Sequence, residues 1–241
     1  MNENTYKNLI ESLNNLQNPE KAKQLSRFFK TGKGEYGEGD MFYGITVPLI
    51  RTNVRKYFKS LSLNQVKLLL KDKVHEIRLC GGLVLVSKYK TAKTQEEKAE
   101  IFNFYCDNIR AINNWDLVDL TCVHIIGNYL LKYQNSDISL LRKLSISDNL
   151  WERRISVLST FEFIRNQRLD LSLEMCERLL FDKHDIIHKA VGWMLREIGK
   201  RDFEYELEFI NKHNLQIPRT TLRYAIEKFP ENLRQDILSK K

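Results

Sequence analysis

The sequence predicts an all-α chain built from tandem helical pairs, and three observations carry that expectation. Apolar residues recur at spacings of three and four from Leu9 to Leu238, with no competing strand alternation. Five related segments follow one another: Ile77-Arg78-Leu79-Cys80, Val118-Asp119-Leu120-Thr121, Arg153-Arg154-Ile155-Ser156, His188-Lys189-Ala190-Val191 and Leu222-Arg223-Tyr224-Ala225. Their second residues, Arg78, Asp119, Arg154, Lys189 and Arg223, lie 41, 35, 35 and 34 residues apart, the period of a helix-pair repeat. Finally, the four prolines, Pro19, Pro48, Pro218 and Pro230, all stand where a helix start or a connection accommodates them.

Taken in order, residues 1–30 read as an N-terminal helical hairpin, 31–45 as a glycine-rich loop and 46–241 as tandem repeats, all within one domain. Thr31 to Gly44 holds Gly32, Gly34, Gly37, Gly39 and Gly44, half of the chain's 10 glycines. That composition predicts a flexible connector, or a mobile arm that contacts a ligand. Gly32-Lys33-Gly34-Glu35-Tyr36-Gly37 matches the dinucleotide fingerprint literally, but the fingerprint needs a preceding strand and Lys21 to Lys30 reads as helix. Nucleotide binding of that kind is therefore excluded. Past the loop, Pro48 follows Thr46-Val47 and suits a first helical turn. Ser62-Leu63-Asn64-Gln65 and Thr94-Gln95-Glu96-Glu97 are capping boxes that start two further helices.

Charge and cysteine usage narrow the function classes. The net charge is +8, with 39 basic against 31 acidic side chains. That surplus is compatible with nucleic acid, so placement must decide. Cys80, Cys106, Cys122 and Cys176 are scattered through apolar stretches, which points to a reducing compartment without a disulfide framework. The first 30 residues lack an apolar signal core and no run reaches the length of a membrane span. A cytoplasmic protein without a membrane partner is expected. His184-Asp185-Ile186-Ile187-His188 puts two imidazoles on one helical face, but Asp185 stands where zinc peptidases use Glu and no third ligand is evident. No metal site and no cofactor are assigned.

The repeat places chemistry in one row. Equivalent positions of stacked repeats lie side by side, so Arg78, Arg154, Lys189 and Arg223 should form a cationic track suited to a polyanion. Asp119 interrupts that track and would repel the same polyanion, so it needs another reason to be there. Trp115 lies one turn before Asp119 on the same helical face, and Trp193 lies one turn after Lys189. Leu158 holds the place equivalent to Trp193 one repeat earlier, so that place is not intrinsically aromatic. The plain alternative is that the tryptophans are core and that Asp119 and Arg154 form a structural ion pair. Trp151, at a helix start, is assigned to packing.

Asn114-Trp115-Asp116-Leu117-Val118-Asp119, Trp151-Glu152-Arg153-Arg154 and Lys189-Ala190-Val191-Gly192-Trp193 resemble the signatures of the AlkD family of alkylpurine DNA glycosylases. Leu79-Cys80-Gly81-Gly82-Leu83 and Thr221-Leu222-Arg223-Tyr224-Ala225 resemble their counterparts there. The resemblance runs from the glycine loop to the last helices. It implies a C-shaped solenoid of HEAT-like repeats with duplex DNA on a basic concave face. It also implies excision of cationic N3- and N7-alkylated purines, such as 3-methyladenine and 7-methylguanine; an abasic site as product and a monomeric protein are expected. On that reading Asp119, Trp115, Trp193 and Arg154 are the catalytic set, and Arg78, Arg154, Lys189 and Arg223 hold the DNA backbone.

The residue chemistry agrees. A cationic purine departs neutral through a sugar of oxocarbenium character, and a fixed carboxylate such as Asp119 stabilises that sugar. Indole faces suit a cationic base or sugar, and guanidinium suits phosphate. Two rivals stand beside this reading: a non-catalytic helical-repeat protein that binds damaged or branched DNA, and a protein-interaction scaffold. Fold alone does not choose among them.

Overall fold

The computed structural model describes residues 3–133, 138–213 and 216–240. It is an all-α helical repeat fold. The one extended pairing among the described residues is a single parallel bridge between Met41 and Val74. The chain divides into two compact units, residues 1–125 and 126–241.

The first unit begins with α1 (Glu3–Asn14) and α2 (Pro19–Phe28). Asn18 caps α2 through Lys21 N, and Pro19 fills the first turn, where an N–H would lack a partner. After the glycine-rich loop come α3 (Val47–Tyr57), α4 (Leu63–Leu70), α5 (His75–Thr91), α6 (Gln95–Asp107) and α7 (Trp115–Cys122). Pro48 sits in the first turn of α3, and Ser62–Gln65 and Thr94–Glu97 form reciprocal capping boxes at α4 and α6. α5 packs against α3, α4, α6 and α7 and is buried at every position from His75 to Val86. A helix enclosed on all sides needs no amphipathic stripe, and every charge on it must find a partner inside.

The second unit holds α8 (Asn128–Tyr133), α9 (Ser139–Ser145), α10 (Leu150–Ser159), α11 (Phe161–Arg165), α12 (Asp170–Leu179), α13 (Asp185–Gly199), α14 (Phe203–His213), α15 (Arg219–Ala225) and α16 (Glu231–Ser239). α10 packs on α9 and α13, and α13 packs on α12, α14 and α15. Gly192 allows the α13–α15 approach: a Cβ there would stand 2.5 Å from Thr221 O. Trp151 is buried at the start of α10, in the packing role its position suggests.

The repeat period is written into the side-chain hydrogen bonds. Ser12 donates to Asn53 and His75 bonds Asp116, each pair 41 residues apart. Tyr205 donates to Asp170 and Lys212 to Glu177, each pair 35 residues apart. Equivalent positions of successive pairs therefore touch within each unit, as stacked repeats require.

Candidate active site

Trp115 opens α7 in the first unit, and Asp119 follows one turn later on the same face, both partly exposed. Asn114 caps this helix. Its Oδ1 accepts from Trp115 N at 2.8 Å, and its Nδ2 donates to Asp40 Oδ2 at 3.0 Å. The indole stacks on Phe29 with ring centres 5.0 Å apart and planes inclined by 10°. Phe28 meets the same indole edge-on at 5.8 Å and is itself 64% exposed. Aromatic side chains from the end of α2 thus flank Trp115.

Behind Trp115 lies a buried ionic cluster. His75 bonds Asp116 Oδ2 through Nε2 at 2.8 Å and Asp40 Oδ2 through Nδ1 at 3.2 Å. Two carboxylate acceptors call for two N–H donors, the protonated imidazole. Burial pushes the His75 pKa down, but the hydrogen bonds to Asp116 and Asp40 outweigh it and the net direction is up. Burial raises the Asp40 pKa, and His75, Arg78 and Asn114 outweigh that, so its carboxyl lies below the usual range. Phe42 stacks on the His75 ring at 4.7 Å, and Phe29 packs against the same ring at 4.7 Å.

The glycine-rich loop belongs to this cluster. Asp40 ties it to α5 and α7, and Glu76 of α5 accepts from the backbone N–H groups of Tyr43, Gly44 and Ile45 at 3.0, 2.8 and 3.1 Å. Gly44 has φ +80°, and a Cβ there would lie 2.1 Å from Asn18 O, so the loop closes on the cap of α2 only with glycine. Farther out, Glu35 and Glu38 accept from the N–H groups of Gly32 and Gly34. The glycine-rich loop thus does more than connect: Asp40 and Glu76 clasp its residues 40–45 to α5, while Glu35 and Glu38 bond within the loop itself.

Arg78 also needs a correction. It is 5% exposed and donates to Asp40 Oδ1 at 2.6 Å, Asn113 Oδ1 at 3.1 Å and Asp72 O at 2.9 Å. A guanidinium spent in this way holds the loop rather than a phosphate. α5 is enclosed by neighbours, and that enclosure is the physical reason.

The second unit carries Arg154 on α10, Lys189 and Trp193 on α13, and Arg223 on α15. Arg154 is 5% exposed, and its Nη1 donates to Ile186 O at 2.6 Å, which fixes α10 to the start of α13. Its expected place on an open cationic track is thus corrected: it lies between helices. Lys189 is partly exposed and pairs with Asp185 at 2.8 Å, and Arg223 is exposed. Trp193 packs beside Phe161 at 5.7 Å and hydrogen-bonds Glu197. His188 Nε2 lies 2.5 Å from Asp182 O, and among the described residues no group of three candidate ligands could hold a metal.

The family model for DNA alkylation repair enzymes matches residues 9–229. The chain belongs to the DNA alkylation repair enzyme family. As a member of that family it is an enzyme of alkylation-damage repair with DNA as its partner. A solved structure, the predicted DNA alkylation repair enzyme from Enterococcus faecalis, shares its fold with TM-score 0.70 at 17% identity, covering 89% of this chain and 97% of that one. No curated protein matches the sequence.

Sequence reasoning reached Trp115 and Asp119 but passed over Asp40, His75 and the Phe28–Phe29 pair. One signal was present. His75 precedes Asp116 by the same 41 residues that separate Arg78 from Asp119, so the repeat itself sets an imidazole beside a carboxylate.

Proposed function

We propose that this repair enzyme is a monofunctional DNA glycosylase that hydrolyses the N-glycosidic bond of cationic N3- and N7-alkylated purines in duplex DNA. The observation that carries the reading is the face of α7, where the partly exposed Asp119 stands one turn from an indole stacked on Phe29. A carboxylate held on a rigid helix stabilises the oxocarbenium character that grows on the deoxyribose as the neutral base leaves. It also orients the water that completes hydrolysis. No amine nucleophile is required, so the product is an abasic site in an uncut strand. Trp115 offers its π face to the cationic nucleotide.

In the second unit this reading assigns Trp193 to the lesion nucleotide and Lys189 and Arg223 to phosphates, and it leaves Arg154 to the tie between α10 and α13. It leaves Arg78 to the loop. The enzyme is proposed to act as a monomer in the cytoplasm.

The deciding experiment incubates the protein with duplex DNA carrying N7-methylguanine and measures free base and strand breaks. The reading requires base release without cleavage. Tight binding without release would instead indicate a non-catalytic damage-binding protein.

A further inference from the structure

We propose that the glycine-rich loop is a splint for the catalytic face, with Asp40 and His75 acting as positioning residues that hold Trp115 in place for the reaction proposed above. The inference rests on that functional reading and deepens it.

Every link is a direct contact. Asp40 is the loop's only side chain that reaches α5 and α7 together among the described hydrogen bonds. Through Asn114 it holds the residue that caps Trp115 N. Through His75 it connects to Asp116, the neighbour of Trp115, whose other carboxylate oxygen accepts from Leu117 N. Phe29 packs against both His75 and Trp115, so the imidazole also supports the ring on which the indole stacks. Both the backbone and the ring of Trp115 therefore depend on the same cluster.

The cluster is balanced only when His75 is protonated. The charged groups facing it are Asp40 from the loop, Asp116 from α7 and Arg78 from α5, while Phe29 and Phe42 close the remaining sides. Protonated His75 and Arg78 match the two carboxylates. A neutral imidazole would supply one N–H to two carboxylates and leave a buried acceptor unmatched. The splint should therefore slacken as pH rises past the His75 pKa, which lies above the ordinary 6.5. Asp40→Asn has the same effect at any pH, because an amide group cannot accept from Arg78, His75 and Asn114 together.

The test has two arms. The first follows Trp115 emission in Trp151→Phe/Trp193→Phe protein, where Trp115 is the remaining indole of the chain's 3. With the cluster intact, emission should shift and acrylamide quenching should rise as pH climbs above about 6.5. Asp40→Asn and His75→Gln should show the exposed-indole signal already at neutral pH. This titration needs no change in the cluster itself, so it remains decisive if either variant folds poorly.

The second arm measures single-turnover release of N7-methylguanine together with duplex affinity in the natural background. Displacing a positioned group by about 1 Å costs on the order of a hundredfold, so Asp40→Asn and His75→Gln should lose about ten- to a hundredfold in rate. Their affinity should change little, and the alkaline fall in rate should be absent from His75→Gln. Ile101→Ala in α6 is the control for stability alone, with a lower melting temperature and an unchanged rate per folded molecule.

The proposal is overturned if Trp115 emission and quenching ignore both pH and the two variants. It is equally overturned if the variants lose rate only as the control does. If the unaltered protein releases no base, the glycosylase reading fails by itself, and the emission arm still decides whether the loop positions Trp115.

Discussion

Asp182 offers a quantitative test of how the second unit holds its inner helices in register. Its carboxylate accepts from Arg153 Nε at 2.6 Å and Nη2 at 3.3 Å, and caps His184 N at 2.9 Å. Both partners of the ion pair are buried. Arg153 keeps two further acceptors, Ser147 O at 2.8 Å and Asp148 O at 3.1 Å, but both are neutral. Asp182→Ala therefore leaves a buried cation without a counter-charge, a loss of about 3–5 kcal/mol. At about 2–4 °C per kcal/mol for a chain of this size, the melting temperature should fall by about 6–20 °C. Asp182→Asn keeps an oxygen for the His184 cap and should fall less. Calorimetry on the three proteins at one pH and salt gives the comparison. A fall below about 2 °C for Asp182→Ala would show that the two carbonyls satisfy Arg153 and that the ion pair contributes nothing to register.

Four further outcomes are expected. Asp119→Asn should fold and bind duplex normally but lose about a hundred- to a thousandfold in base release, and full excision by the folded variant would remove Asp119 from the mechanism. Arg223→Ala should lower the slope of log affinity against log salt by about 0.9, whereas Arg78→Ala should lower the melting temperature and leave the slope alone; the reverse pattern would place Arg78 on DNA. Burial pushes the Glu206 carboxyl up to about 9, so the folded chain keeps a proton that the unfolded chain releases above 4.5. Stability from this group is then greatest at low pH and declines as pH rises from 4.5 towards 9, so Glu206→Gln should raise the melting temperature at pH 8 and hardly at all at pH 4. Gly192→Ala forces α13 and α15 apart and should cost about 1–3 kcal/mol in thermal unfolding, with slower base release because Trp193 is its neighbour.

What the sequence made legible was whatever repeats or lies close along the chain. The capping boxes at Ser62 and Thr94 and the proline at the start of α3 are local, and the structure has each of them. The five segments of the period fall on five helices, and within the units α5 packs on α7 while α13 packs on α10 and α15. Exposure was not legible, because a period places a side chain on a helix and says nothing about what covers it. Arg78 is the instructive case: its neighbours Ile77, Leu79 and Cys80 are all buried, and a cation in such company is more safely read as an internal tie than as a surface track. The clasp on the loop was hidden for another reason. Asp40 meets His75, Arg78 and Asn114 across 35, 38 and 74 residues, and no local pattern encodes contacts at those distances.

The clasp also dictates an order of assembly. The loop residues Asp40 and Gly44 leave the ribosome before the groups that fasten them, Glu76, His75 and Asn114, which follow much later in the chain. Until residues 114 and 115 have emerged, Asp40 lacks one of its donors and Phe29 lacks the indole that covers it. Closing so long a loop precedes any reward from the contacts it brings together, which makes this step slow relative to helix pairing within a repeat. The loop, though made before its partners, is therefore among the last segments to settle, and Trp115 is the residue whose arrival completes it.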